Sequence, residues 1–181
     1  MLRDNGLHYR SAEEIRSFQE ARLHEAIDYA YTNSAFYREL FDSCKIRPAD
    51  IRTIEDLRRL PVTTKQDLQL RNKDFLCVDS SQIVDYVTTS GTLGEPVVFA
   101  LTENDLDRLG YNELSSFTMA GCSRNDIMQL MTTIDRRFMA GLAYWLGARA
   151  LGMGVIRVGN GIPELQWNTI NSIHPTVCMC V

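Results

Sequence analysis

No run in the sequence approaches the roughly 18 apolar residues that a membrane-spanning helix needs. The opening stretch, MLRDNGLHYR, carries charges where a signal peptide requires apolar residues. Together these absences predict a cytoplasmic protein without membrane association. Histidine is scarce, with three in the chain, and the five cysteines (Cys44, Cys77, Cys122, Cys178 and Cys180) include no C-x-x-C pair. A zinc site is therefore disfavoured, and no metal-ligating residue is assigned. An odd number of widely spread cysteines also argues against a disulfide framework. Cys178 and Cys180 alternate through TVCMCV, which puts both thiols on one face of a strand, where they are expected to act as small, reduced core hydrophobes. Cationic excess is missing too: 19 Lys+Arg against 23 Asp+Glu give a net charge of -4, which argues against electrostatic binding to nucleic acid.

What remains is an ordinary globular composition, 45% hydrophobic and 23% charged, with no case for disorder or a fibre. A chain of 181 residues accommodates one ordinary domain or two small ones and buries roughly 70% of its unfolded surface. Its first part reads as helical. Ser11 and Glu14 form a capping box before Ile15, Phe18, Ala26, Ile27 and Ala30. Shorter helices are expected from Ser34 to about Cys44 and over IEDLRRL, opened by Thr53 and closed by Pro61. From about residue 83 the pattern alternates. IVDYVTT and VVFAL read as a hairpin around a Gly/Pro turn, and a helix capped by Thr102 and Asp105 follows. Then come strand IMQLMTT, a helical stretch from Arg137 to Leu151, strand GVIRV, a helix opened by Pro163, and strand TVCMCV. Strands alternating with helices predict βαβ crossovers. The expected fold is α/β: a helical region over 1–80, then a mixed, largely parallel sheet with flanking helices over 81–181. The apolar run reaching Val181 suggests an incomplete N-terminal domain and an unpaired edge, and hence a homo-oligomer.

The most informative segment is Thr88-Thr89-Ser90-Gly91-Thr92-Leu93-Gly94-Glu95-Pro96. Glycines let backbone amides curl around an anion, and hydroxyls donate to phosphate oxygens. It lacks the G-x-x-x-x-G-K-[ST] spacing of the P-loop. By composition alone, a plain hairpin turn is the commoner reading. Gly159-Asn160-Gly161 follows a strand and precedes a helix, but Glu164 stands where a dinucleotide fingerprint needs its third glycine, so it reads as a turn. Asp135-Arg136-Arg137 follows strand IMQLMTT, where parallel sheets present loops to ligands, although a capped and solvated helix start is the commoner reading of such a run.

TTSGTLGEPVVFAL resembles the T-S-G-T-T-G-x-P loop of the adenylate-forming acyl-CoA synthetase superfamily. LPVTTKQDL at 60–68 is similar to the L-P-x-T-T-K-x-D-L segment that precedes this loop in phenylacetate-CoA ligases and coenzyme F390 synthetases. GLAYWLGARALGMGVIRVGNG and INSIHPTVCMCV resemble later units of the same families. The likeness implies the N-terminal portion of an acid-thiol ligase that turns a small carboxylic acid into an acyl-adenylate and then a thioester. It implies ATP, Mg2+ and coenzyme A as cofactors. Thr89, Ser90, Gly91, Thr92 and Gly94 would hold phosphates, and Arg136 and Arg137 would lie near the acyl pocket. Leu93 and Glu95 replace a frequent Thr and a frequent Lys of the pattern. The family's catalytic lysine, adenine contacts and magnesium carboxylate fall beyond these residues, so no catalytic residue is assigned and the isolated chain is expected to be inactive. The alternatives are an adenylating relative with a non-CoA acceptor and a non-catalytic oligomerisation or binding module.

Overall fold

In the computed structural model, residues 9–89 and 95–180 are described. They form two compact units, residues 9–82 with 95–98 and residues 83–89 with 99–180.

The first unit is helical. Helix α1 (Ala12–Asn33) opens on the capping box: the Glu14 amide donates to Ser11 Oγ at 3.3 Å and the Ser11 amide donates to Glu14 Oε2 at 3.0 Å. Ser34 both ends α1 and starts α2 (Ala35–Ser43), donating its amide to the Ala30 carbonyl at 2.9 Å and accepting from the Tyr37 amide at 3.3 Å. Ile27, Phe41, Ile46 and Ile51 make the core between these segments. The segment Ile54–Arg59 is a 3₁₀ turn, not the α-helix its pattern predicts. Leu60 must leave the helical region before Pro61, and the segment closes on an i→i+3 bond from the Leu60 amide to the Leu57 carbonyl at 3.1 Å. Helix α3 (Lys65–Leu70) is capped by Thr64, so Lys65 is a helix-start residue.

In the second unit, β1 (Ile83–Thr88) pairs with β2 (Val98–Thr102). Thr102 then caps α4 (Glu103–Met119), which ends at Gly121 in the left-handed conformation, φ 85°. A three-stranded parallel sheet follows, built from β3 (Ile127–Leu130), α5 (Met139–Leu151), β4 (Gly154–Arg157), α6 (Pro163–Ile173) and β5 (Val177–Met179). Its order is β4-β3-β5, with Met128 opposite Val155 and Val177. Met128 and Leu130 pack with Phe117, Ala148 and Met153, so α4 and α5 cover one face of the sheet. The α/β architecture and parallel sheet agree with the sequence reading.

One further expectation needs correction. Cys178, within the last strand, and Cys180, just past its end, are both exposed, and neither thiol is a core residue. The partly buried residues of β5 are instead Val177 and Met179, which pack against the core. Met139 is 42% exposed at the start of α5, whereas Met128 and Met153 are buried. Among the described residues, no helix is long and apolar enough to cross a membrane.

Candidate active site at the carboxyl ends of the parallel strands

Strand β3 feeds α5 on the face of Met128 and Leu130. Strand β4 feeds α6, whose Gln166 meets Gln129 on the opposite face. Neighbouring parallel strands that send their chains to opposite faces leave a crevice between their carboxyl ends, the usual place for ligands in open α/β sheets. A cavity of about 400 Å³ lies there, walled by Thr132, Thr133, Asp135 and Arg136 after β3 and by Arg157 and Asn160 around the end of β4.

Close packing positions the first wall. A β-carbon at Gly141, in the first turn of α5, would stand 1.8 Å from the Thr133 carbonyl oxygen, so only glycine lets the helix approach this loop. The Thr133 hydroxyl donates to the Asp135 carboxylate, and this bond, with Arg136 nearby, holds the Asp135 carboxyl below its ordinary pKa. Arg136 Nε lies 4.0 Å from Asp135 Oδ2, and both side chains are solvent-exposed. Arg136 and Arg137 are consecutive left-handed residues with φ of 57° and 61°. Non-glycine residues held there carry strain, which clusters at functional sites.

The structure brings the predicted residues into one neighbourhood in part. The Thr88 amide, at the end of β1, donates to the Arg137 carbonyl at 3.0 Å, so the strand that leads into the Ser/Thr/Gly segment ends against the loop that lines the cavity. Thr89 is exposed directly beyond it. Arg136 lines the cavity, while Arg137 contributes its backbone carbonyl at the strand end. Ser90, Gly91, Thr92 and Gly94 lie outside the described residues. Sequence reasoning missed Arg157 and Asn160. The signal was available, because both sit where a parallel strand passes into its loop, beside a Gly-Asn-Gly stretch read only as a turn. Among the described residues, no group of three His, Cys, Asp or Glu side chains is placed to hold a metal ion.

No protein-family model matches the chain. Curated relatives do. Phenylacetate-coenzyme A ligase of Escherichia coli is 35% identical over 170 residues, covering 93% of this chain and 39% of the relative. Over nearly its whole length, the chain is a sequence relative of phenylacetate-coenzyme A ligases. The enzymes of that name from Thermus thermophilus and Pseudomonas putida are 34% and 31% identical, each over 93% of this chain and 38% of their own length. The chain thus spans about two fifths of the length of these ligases. Its fold is that of a stretch of 2-hydroxyisobutyryl-CoA ligase in complex with 2-HIB-AMP and CoA, with a TM-score of 0.83 at 24% identity over 93% of this chain and 37% of that one. An open conformation of the same ligase gives a TM-score of 0.83 at 23% identity.

Proposed function

We propose that this chain forms the N-terminal part of an ATP-dependent acid-thiol ligase. The substrate carboxylate attacks the α-phosphorus of ATP and pyrophosphate leaves. The sulfur of coenzyme A then attacks the acyl carbon and AMP leaves, giving the thioester. The match to phenylacetate-coenzyme A ligases over 93% of the chain carries this reading. The crevice between β3 and β4 supports it, because the strand leading into the phosphate-type loop ends on the crevice wall.

Within this reading, Thr89, Ser90, Gly91, Thr92 and Gly94 supply hydroxyl and amide donors to the ATP phosphates. Arg136 and Arg137 belong to the side of the acid. The guanidinium groups of Arg136 and Arg157, which line the cavity, fit an anionic partner chemically. The described residues offer magnesium no cluster of carboxylates, and no step is assigned to the metal. Residues 1–80 serve as a helical N-terminal region and 81–181 as part of the ATP-binding domain. The reading extends to coenzyme F390 synthetase-like relatives, a cytoplasmic setting and a homo-oligomer.

The test is carboxylate-dependent exchange of labelled pyrophosphate into ATP by the complete protein, with phenylacetate, 2-hydroxyisobutyrate and acids bearing a second polar group. Exchange with at least one acid, followed by a CoA thioester, is expected. Thr92→Val should lower it roughly tenfold to a hundredfold, the worth of one charge-assisted hydrogen bond of about 1.5–3 kcal/mol. No exchange with any acid would refute the reading. An adenylate that forms but is not passed to coenzyme A would point to another acceptor.

A further inference from the structure

Beneath the second wall of the crevice runs a buried amide relay. Gln129 sits in the middle of β3 with no exposed surface, and Gln166, in α6, is 8% exposed. Gln129 Nε2 donates to Gln166 Oε1 at 2.7 Å and to the Gln166 carbonyl at 3.3 Å. Gln166 Nε2 in turn donates to the carbonyls of Gly159 at 2.8 Å and Gly161 at 3.4 Å. These two carbonyls flank Asn160, which lines the cavity. From the strand side, the amides of Val158 and Gly159 both donate to the Leu130 carbonyl, at 3.2 and 3.1 Å. The loop is therefore gripped from two directions. It also needs holding, because Gly159, Gly161 and Ile162 have φ of 77°, 80° and 37°, a course that side chain-bearing residues rarely follow.

The relay has an unmatched end. Among the described residues, Gln129 Oε1 is buried without a hydrogen-bond partner. Two apolar side chains of the same size would fill this space without the orphaned Gln129 oxygen and would give up only the bonds to the loop carbonyls, so core packing alone does not account for a glutamine pair here. What the pair adds is a fixed orientation of the Gln166 amide, with its oxygen engaged by Gln129 and its N–H groups turned to the loop.

We infer that Gln166, oriented by Gln129, is a positioning residue for substrate binding: it fixes residues 159–161 so that Asn160 keeps its place on the cavity wall. This rests on the ligase reading above. In the complete protein, Gln166→Met should raise KM for the carboxylic acid tenfold or more while kcat changes less than threefold. Amide hydrogen exchange across 159–162 should speed at least tenfold, with Met128 and Leu130 unchanged. Gln166→Glu separates the two halves of the relay. Its carboxylate still accepts from Gln129 but sets an oxygen against the Gly159 carbonyl, and only the protonated acid can donate there. Its KM should therefore fall toward the wild-type value as pH drops from 8 to 6, a dependence Gln166→Met must lack. The pair Gln129→Leu with Gln166→Met should melt near the wild-type temperature yet keep the raised KM.

Unchanged loop exchange in Gln166→Met, or an unchanged KM beside faster exchange, would overturn the inference. Recovery of KM in the apolar pair would overturn it too, by reducing the effect to stability. A wild-type protein that activates no acid would instead refute the ligase reading, and loop exchange would still decide whether Gln166 holds the loop.

Discussion

Arg136 and Arg137 show how a single backbone choice divides stability from use. A non-glycine residue in the left-handed region costs roughly 1–2 kcal/mol, whereas glycine there loses only the extra freedom of its unfolded chain, roughly 0.5–1 kcal/mol. Arg136 is held at φ 57° with its side chain largely in solvent, so local packing does not explain an arginine there. Arg136→Gly should therefore leave stability unchanged or raise it by up to about 1 kcal/mol in urea denaturation, while lowering acid-dependent pyrophosphate exchange. A clear loss of stability would mean that the guanidinium serves the fold. The Thr88 contact should survive the change, because its acceptor is the main-chain carbonyl of Arg137.

At the scale of elements, one carboxylate ties the start of β3 to the start of β5. Asp126 Oδ2 accepts from the Ser123 amide and hydroxyl at 2.7 and 3.0 Å, and Oδ1 accepts from the Thr176 hydroxyl at 2.8 Å. Thr176 Oγ1 accepts from the Ile127 amide at 3.0 Å, and the Thr176 amide donates to the Ile127 carbonyl at 2.9 Å. The bonds from Ser123 and Thr176 hold the Asp126 carboxyl below its ordinary value of 3.8. A depressed carboxylate stabilises the fold above its unfolded pKa, and that contribution is lost as pH falls through the folded value. Asp126→Asn should therefore lower the melting temperature at pH 7, and the gap between variant and wild type should narrow as pH falls from 5 toward 2. Melts across that range are the measurement, and a gap that stays constant with pH would exclude the carboxylate's charge as the cause.

The element boundaries were legible where a local signal marks them. The Ser11 and Thr102 caps, the turn at Gly121 and Pro163 at the first turn of α6 all act through neighbouring backbone and so show in sequence. The burial of the last strand was not legible. Alternation assigns Cys178 and Cys180 to one face but does not say which face the sheet covers, and that depends on α4 and α5 far away in the chain. The candidate site divided the same way. A Ser/Thr/Gly loop and two arginines could be read by residue type. Gln166 acquires meaning only when β4 lies beside β3 and α6 crosses to the other face, where its side chain meets Gln129, a tertiary fact with no local signature.

For the whole molecule, each unit has its own apolar cluster, one around Phe41 and Ile51 and the other around Met128 and Leu130. Phe41 is 2% exposed and Leu130 has no exposed surface. Phe41→Ala should cost about 3–5 kcal/mol and Leu130→Ala about 2–5 kcal/mol in chemical denaturation. Against a domain stability of about 5–15 kcal/mol, either change removes a large share of the folded population. A loss under 1 kcal/mol at either position would mean that its cluster is not a true core.

The order β4-β3-β5 also sets a timetable for synthesis. The central strand is made first, and Val177, the β5 partner of Met128, is added 49 residues later. At translation rates of about 5–20 residues per second, roughly 2–10 s pass before that partner exists. During this interval Met128 and Leu130, wholly buried once the strands are paired, have no strand to pair with on one side. Until β5 is made, IMQL therefore presents an unpaired apolar edge on that side, open to any other strand or chain that meets it.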